Sequence, residues 1–203
     1  MTVVVIEPAA RAVTAEEAKA AHVFAQDDDD AMVQTLLDVA QAQIDGPGGW
    51  LGRAIGEQTL ELRIDSFSWT VRLPHRPVSG IVAVEYLDQN GVVQTLDPAQ
   101  YELADNRLVP AFGSSWPAAR CQPGSVRIRY EAGYEASDVP APIRRAIMLM
   151  AAELKGLGAG ASGEIRREVV EGVGTIDYQV SSMVAGAMRA AADHLLMPFQ
   201  VYE

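Results

Sequence analysis

The sequence predicts an α+β fold, a helical bundle with an inserted antiparallel β unit. Three observations carry this. Apolar residues recur at helical spacing toward both ends of the chain, they alternate with a period of two through its middle, and Gly/Pro clusters mark the changes of period. The expected divisions are helices of the bundle over 1–56, the β unit over 57–131, returning bundle helices over 132–197, and a C-terminal tail over 198–203.

Thr14-Ala15-Glu16-Glu17 fits a capping box, with Thr14 as N-cap and Glu17 reaching back to its amide, so a short helix runs from there toward Val23. The acidic run Asp27–Asp30 then suits the positive end of a second helix, in which Met32, Val33, Leu36, Leu37, Ala40 and Ile44 share helical spacing. Gly46-Pro47-Gly48-Gly49 breaks it.

Leu60, Leu62 and Ile64 alternate with Glu61, Arg63 and Asp65, the pattern of a half-buried strand. Val71–Leu73, Val82–Tyr86, Val92–Leu96, Tyr101–Leu103 and Arg107–Val109 continue the series. Asn90-Gly91 marks a tight hairpin, because both residues tolerate positive φ. Val126, Ile128 and Tyr130 close the set, with Arg127 and Arg129 on the opposite face.

After Pro140 a helix resumes, with Pro142 in its first turn, where a missing N–H costs little. Ile143, Ile147, Met150, Ala151 and Leu154 make its core stripe. Met148 and Leu149 fall outside that stripe, so this helix needs cover on a second side, from another subunit or from elsewhere in the chain. Met148, Leu149 and Arg145 are the candidate subunit-interface residues. A flexible loop is expected over 156–180, loosened by Gly156–Gly163 and holding a hairpin or extended segment over Val169–Val180. Ser181 or Ser182 caps a last helix, which Pro198 stops. In the tail, Phe199 and Val201 alternate with Gln200 and Tyr202, a period-two pattern suited to pairing with a partner.

At 203 residues and 49% hydrophobic, the chain can bury a sizeable core. Its net charge is −11, of which residues 1–45 carry −7 through nine acidic side chains against Arg11 and Lys19. That balance argues against gripping nucleic acid through its phosphates. Cys121 is the single cysteine, which excludes an intramolecular disulfide and a cysteine metal cage. The opening TVVVI has neither the length nor the basic lead of a signal peptide, and no segment reaches transmembrane length. The chain therefore reads as cytosolic at synthesis, with no membrane partner.

Gly158-Ala159-Gly160-Ala161-Ser162-Gly163 matches the dinucleotide fingerprint by letter, but a helix precedes it where a strand is required. Counted from Asp27, a calcium loop would need Gly and Glu where Met32 and Asp38 stand. His22, His75 and His194 lack metal spacing. Ser114-Ser115 lacks a nucleophile-elbow frame. Neither an enzyme nor a cofactor protein is indicated: catalytic, cofactor and metal residues are all expected to be none.

Several segments together resemble the bacteriophage head–tail connector (adaptor) family, including prophage and gene-transfer-agent relatives. They are Thr14–Lys19 with the acidic run after it, Trp50–Ile55, Gln58–Leu62, Leu73–Val78, Val84–Asp88, Trp116–Ala118 and Gln122–Val126. Ala132-Gly133-Tyr134 followed by Val139–Arg144, and the ending Leu195-Leu196-Met197-Pro198-Phe199, complete the set. The order and spacing of these pieces, spanning about residues 14–200, make the resemblance. The chain departs from the usual family pattern at Gly46–Gly49 and Gly156–Gly163.

The resemblance implies a structural virion protein forming a homo-oligomeric, dodecameric ring beneath the portal, extending the DNA channel and offering a platform to a stopper or tail-completion protein. Portal protein and stopper are the implied partners, and packaged DNA passes without specific binding, consistent with an acidic wall. The implied portal-binding residues are Leu195, Leu196, Met197, Pro198, Phe199, Val201 and Tyr202. The implied location is the head–tail interface, after assembly in the host cytoplasm. The alternatives are a stopper or tail-completion protein and, outside phage, a small ligand-binding β-domain protein.

Overall fold

A computed structural model describes residues 1–161, 167–170, 174–177 and 182–201 of the chain. They divide into two compact units, 1–12 with 42–139 and 200–203, and 13–41 with 140–199.

The first unit is antiparallel sheet. Its five-stranded sheet has the order β1 (Thr2–Glu7), β2 (Gln58–Ile64), β8 (Val126–Ala132), β4 (Val78–Leu87), β5 (Val93–Thr95). A three-stranded sheet has the order β3 (Val71–Arg72), β7 (Arg107–Pro110), β6 (Tyr101–Ala104). Leu60, Leu62, Val84, Val126, Ile128 and Tyr130 from the larger sheet and Val71, Tyr101 and Leu108 from the smaller one bury into one core. In β8 the alternation is complete: Val126, Ile128, Tyr130 and Ala132 are buried while Arg127 and Arg129 face the other way. The Tyr130 hydroxyl donates to the Pro74 carbonyl at 3.0 Å, so this buried aromatic keeps its polar end satisfied.

The N-terminal segment corrects the expectation that residues 1–56 are helical. TVVVI is β1, paired antiparallel to β2 with Val4 opposite Glu61. Five β-branched residues in a row favour an extended backbone. Turn chemistry also moved. At Asn90-Gly91 only Gly91 has positive φ (82°), and Asp88 holds the turn by accepting from the Asn90 and Val92 amides at 2.8 and 3.0 Å. The turn with both central residues at positive φ is Asp105-Asn106 (47° and 62°), joining β6 to β7.

The second unit is helical, with a small hairpin. Thr14 and Glu17 form the predicted capping box ahead of α1 (Ala15–Ala20). Asp29 caps α2 (Asp30–Ala42), its carboxylate accepting from the Met32 amide at 2.9 Å. Val33, Leu37 and Ala40 are buried, whereas Met32 is exposed. α3 (Ala141–Ala161) runs on through Gly156, Gly158 and Gly160, where the sequence suggested a loop. Each helical glycine costs about 1 kcal/mol relative to alanine, and the packing of α3 on α4 (Ser182–Leu196) is the compensating interaction. Between them β9 (Arg167–Val170) and β10 (Gly174–Asp177) pair as the expected hairpin. The remainder of Gly158–Gly163, Ser162 and Gly163, lies outside the described residues.

Candidate functional site

The helix α3 presents the first candidate surface. Ile143, Ala146, Ile147, Met150 and Ala151 form its buried stripe at spacings of three and four. Met148 is also buried, at 7% exposure, within its own chain, so its cover needs no second subunit. Leu149 is half-buried and Arg145 exposed, which leaves those two as the accessible members of the expected interface. Arg144 pairs with Glu17, and the Lys155 ammonium meets the Asp28 carboxylate at 2.6 Å, both tying α3 to the N-terminal segment of the same unit. The hydrogen bond from Lys155 holds the Asp28 carboxyl below its ordinary value, against the opposing effect of burial.

The C-terminal residues separate into two groups. Leu196 is fully buried and Leu195 half-buried, so these residues anchor α4. Met197, Pro198 and Phe199 form a 3-10 turn, so of the alternating residues Phe199 belongs to that turn and not to a strand. Proline is favoured in the first turn of such a helix, which suits Pro198 to its place there. Met197 and Pro198 are exposed and Phe199 is half-buried. Val201 then donates its amide to the Leu51 carbonyl at 3.0 Å. Gly52, at φ +69°, permits this approach, since a Cβ there would lie 2.5 Å from the Val201 carbonyl oxygen. Tyr202 lies outside the described residues.

The loop that receives Val201 is fixed by Asp45. Its carboxylate accepts from the Ile55 amide at 2.7 Å, the Gly56 amide at 3.0 Å and the Gln58 side-chain amide at 2.8 Å. Nothing in the sequence distinguished this aspartate from its many neighbours; its only signal was a position between an apolar helix end and a glycine turn.

The outer face of the large sheet accounts for the arginine-faced strand. Glu61, 3% exposed, receives Arg63 at 2.8 Å and Arg129 at 3.1 Å. Burial pushes the Glu61 carboxyl up, and the two guanidinium hydrogen bonds outweigh it, leaving the group below its ordinary value.

Two further surfaces lie toward opposite ends of the small sheet. At one end, Trp69 precedes β3 and Phe112 follows β7; they are 76% and 103% exposed. Trp116 supports the Trp69 loop, its indole N–H donating to the Trp69 carbonyl at 3.2 Å and its ring stacking on Phe67 at 4.7 Å. Two bare aromatics are the composition of interface anchors. At the other end, Arg72, His75, Arg76, Asp105, Asn106 and Arg107 line a cleft of about 150 Å³. Arg72 and Arg107 stand directly opposite each other in the β3–β7 ladder, an arrangement of like charges that is destabilising by itself. Neither Arg72, Arg76 nor Arg107 has a side-chain partner among the described residues.

Among the described residues no cluster of three or more His, Cys, Asp or Glu side chains suits a metal ion, and no helix is long and apolar enough to cross a membrane. His22 and His194 are exposed and His75 is half-buried.

No family model matches the chain, and no curated protein sequence matches it. Solved structures do. A chain of the virion of a native gene transfer agent particle is 18% identical with a TM-score of 0.68, over 100% of this chain and 97% of that one. A chain from the neck of the empty particle, computed with C6 symmetry, is 21% identical with a TM-score of 0.66 over 100% and 97%. One from the neck of the native particle, computed with C12 symmetry, is 20% identical with a TM-score of 0.61 over 98% and 96%. The chain shares its fold, end to end, with components of such particles.

Proposed function

We propose that this protein is a non-catalytic head–tail adaptor of a phage or gene-transfer-agent particle, forming a ring beneath the portal that continues the DNA channel and seats the stopper or tail. The observation that carries this is the whole-length correspondence with virion and neck chains, which leaves almost no part of either chain unmatched. It agrees with the family resemblance in the sequence. The C12 symmetry of one such neck supports twelve copies here. The net charge of −11 suits a channel wall past which phosphates slide without sticking. Trp69 and Phe112 supply the anchors for a protein partner, with the stopper as the proposed occupant.

The tail, with Met197 and Pro198 exposed and Phe199 half-buried, is the proposed portal contact, Val201 and Tyr202 extending it. In the isolated chain the Val201 amide donates to the Leu51 carbonyl, a hydrogen bond worth about 1 kcal/mol that the main chain of a partner can replace. Deleting residues 198–203 is expected to leave a folded protein, with unchanged circular dichroism, that no longer joins portal-containing heads in an in vitro joining assay. Normal joining by the truncated chain removes the tail from the mechanism.

A further inference from the structure

We propose that the arginine cleft at the β6–β7 turn receives carboxylates from a second copy of the chain, supplied by its segment 13–41; this rests on the ring assembly proposed above. The cleft carries an excess of positive charge in an acidic protein. Arg72, Arg76 and Arg107 surround it, all exposed, and Asp105, the one carboxylate among its described lining residues, accepts a hydrogen bond from the Asn106 side chain at 3.3 Å. An anion seated between the two guanidinium groups relieves the repulsion of the opposed pair Arg72 and Arg107. Guanidinium forks favour an oxyanion of carboxylate or phosphate geometry.

Segment 13–41 offers the complement, with seven acidic side chains and one lysine. Most of those acids are already engaged: Glu17 with Arg144, Asp28 with Lys155, Asp30 with Lys19, Asp29 at the start of α2, and Asp38 with Gln34. Glu16 and Asp27 are exposed and have no partner among the described residues. Unengaged guanidinium groups on one unit and unengaged carboxylates on the other make a heterologous contact, the type that closes into a ring. Duplex DNA is the disfavoured anion, because three arginines neutralise few phosphates against a net charge of −11.

The test is sedimentation velocity on the full chain, its Arg72→Glu/Arg107→Glu variant, its Glu16→Lys/Asp27→Lys variant, and an equimolar mixture of the two variants. Replacing one like-charge pair by another leaves the β3–β7 ladder no worse off, so thermal melting is expected to be unchanged for the first variant. The full chain is expected to self-associate, each variant to do so at least about tenfold more weakly, and the mixture to recover association. Undiminished association of the arginine variant overturns the contact while the ring assembly stands, as does a mixture that fails to recover. A full chain that stays monomeric at every concentration and salt overturns both. Arginine-dependent retention of duplex DNA by the full chain reassigns the cleft to phosphate and overturns the proposal.

Discussion

A Leu149→Asp chain is expected to fold as a monomer and to fail to assemble. Leu149 lies off the buried stripe of α3 and is only half-covered in the single chain, so the substitution costs the monomer about 1 kcal/mol of apolar burial. In an assembly the same position is desolvated, and an unpaired carboxylate there costs several times more. Repeated at every contact of a ring, a loss of about 1.4 kcal/mol per contact weakens each by roughly tenfold. Light scattering together with circular dichroism separates the outcomes. A chain that unfolds while retaining its tendency to associate would assign Leu149 to the ordinary core. The neighbouring Met148→Ala change gives the contrast: because Met148 is buried within its own chain, its effect belongs to stability, with a core truncation cost of about 2–5 kcal/mol.

The second large effect is expected at Asp45. Asp45→Ala removes the acceptor of two buried backbone amides and of the Gln58 side chain. Leaving buried donors without acceptors costs about 1–3 kcal/mol each, and since the Gln58 amide keeps the Gly56 carbonyl, the two backbone amides set an expected total of about 2–6 kcal/mol in urea unfolding. Asp45→Asn keeps one oxygen and is expected to fall between the two. Because this loop also presents Leu51 and Gly52 to Val201, the alanine variant is further expected to expose the tail to proteolysis. Wild-type stability in Asp45→Ala would show that water replaces the carboxylate at no cost.

The strands were legible wherever one face is buried and the other charged. Leu60–Leu62 and Val126–Tyr130 announce themselves because Glu61, Arg127 and Arg129 punctuate them, and a one-residue slip would carry those charges to the apolar face and part Glu61 from Arg129. The edge strand β1 lacked that punctuation, since its valines are not divided between a wet and a dry face. Helix α3 was legible by its stripe up to Leu154 and illegible beyond it, where local propensity opposed a tertiary contact with α4. The tail's alternation of residue types begins at Phe199, which the 3-10 turn around Pro198 takes up.

For the candidate surfaces, Leu149 and Arg145 could be marked from helical spacing alone. The arginine cleft could not, because it gathers Arg72, Arg76 and Arg107 from three places through the register of β3 with β7. The Asp105-Asn106 turn that closes one side resembled any other polar pair. Trp69 and Phe112 were equally hidden, since bare exposure of an aromatic becomes visible only once the small sheet has a direction.

The central claim is that this chain forms a ring in a particle neck. Cryo-electron microscopy of particles assembled with this chain tests it most directly. The expected map contains this fold repeated around the channel axis in a closed ring between the head vertex and the tail. Twelve copies are expected, with Met197–Val201 pointing at the portal. A neck in which no repeated density fits this fold, or particles that carry the chain only elsewhere, would contradict it.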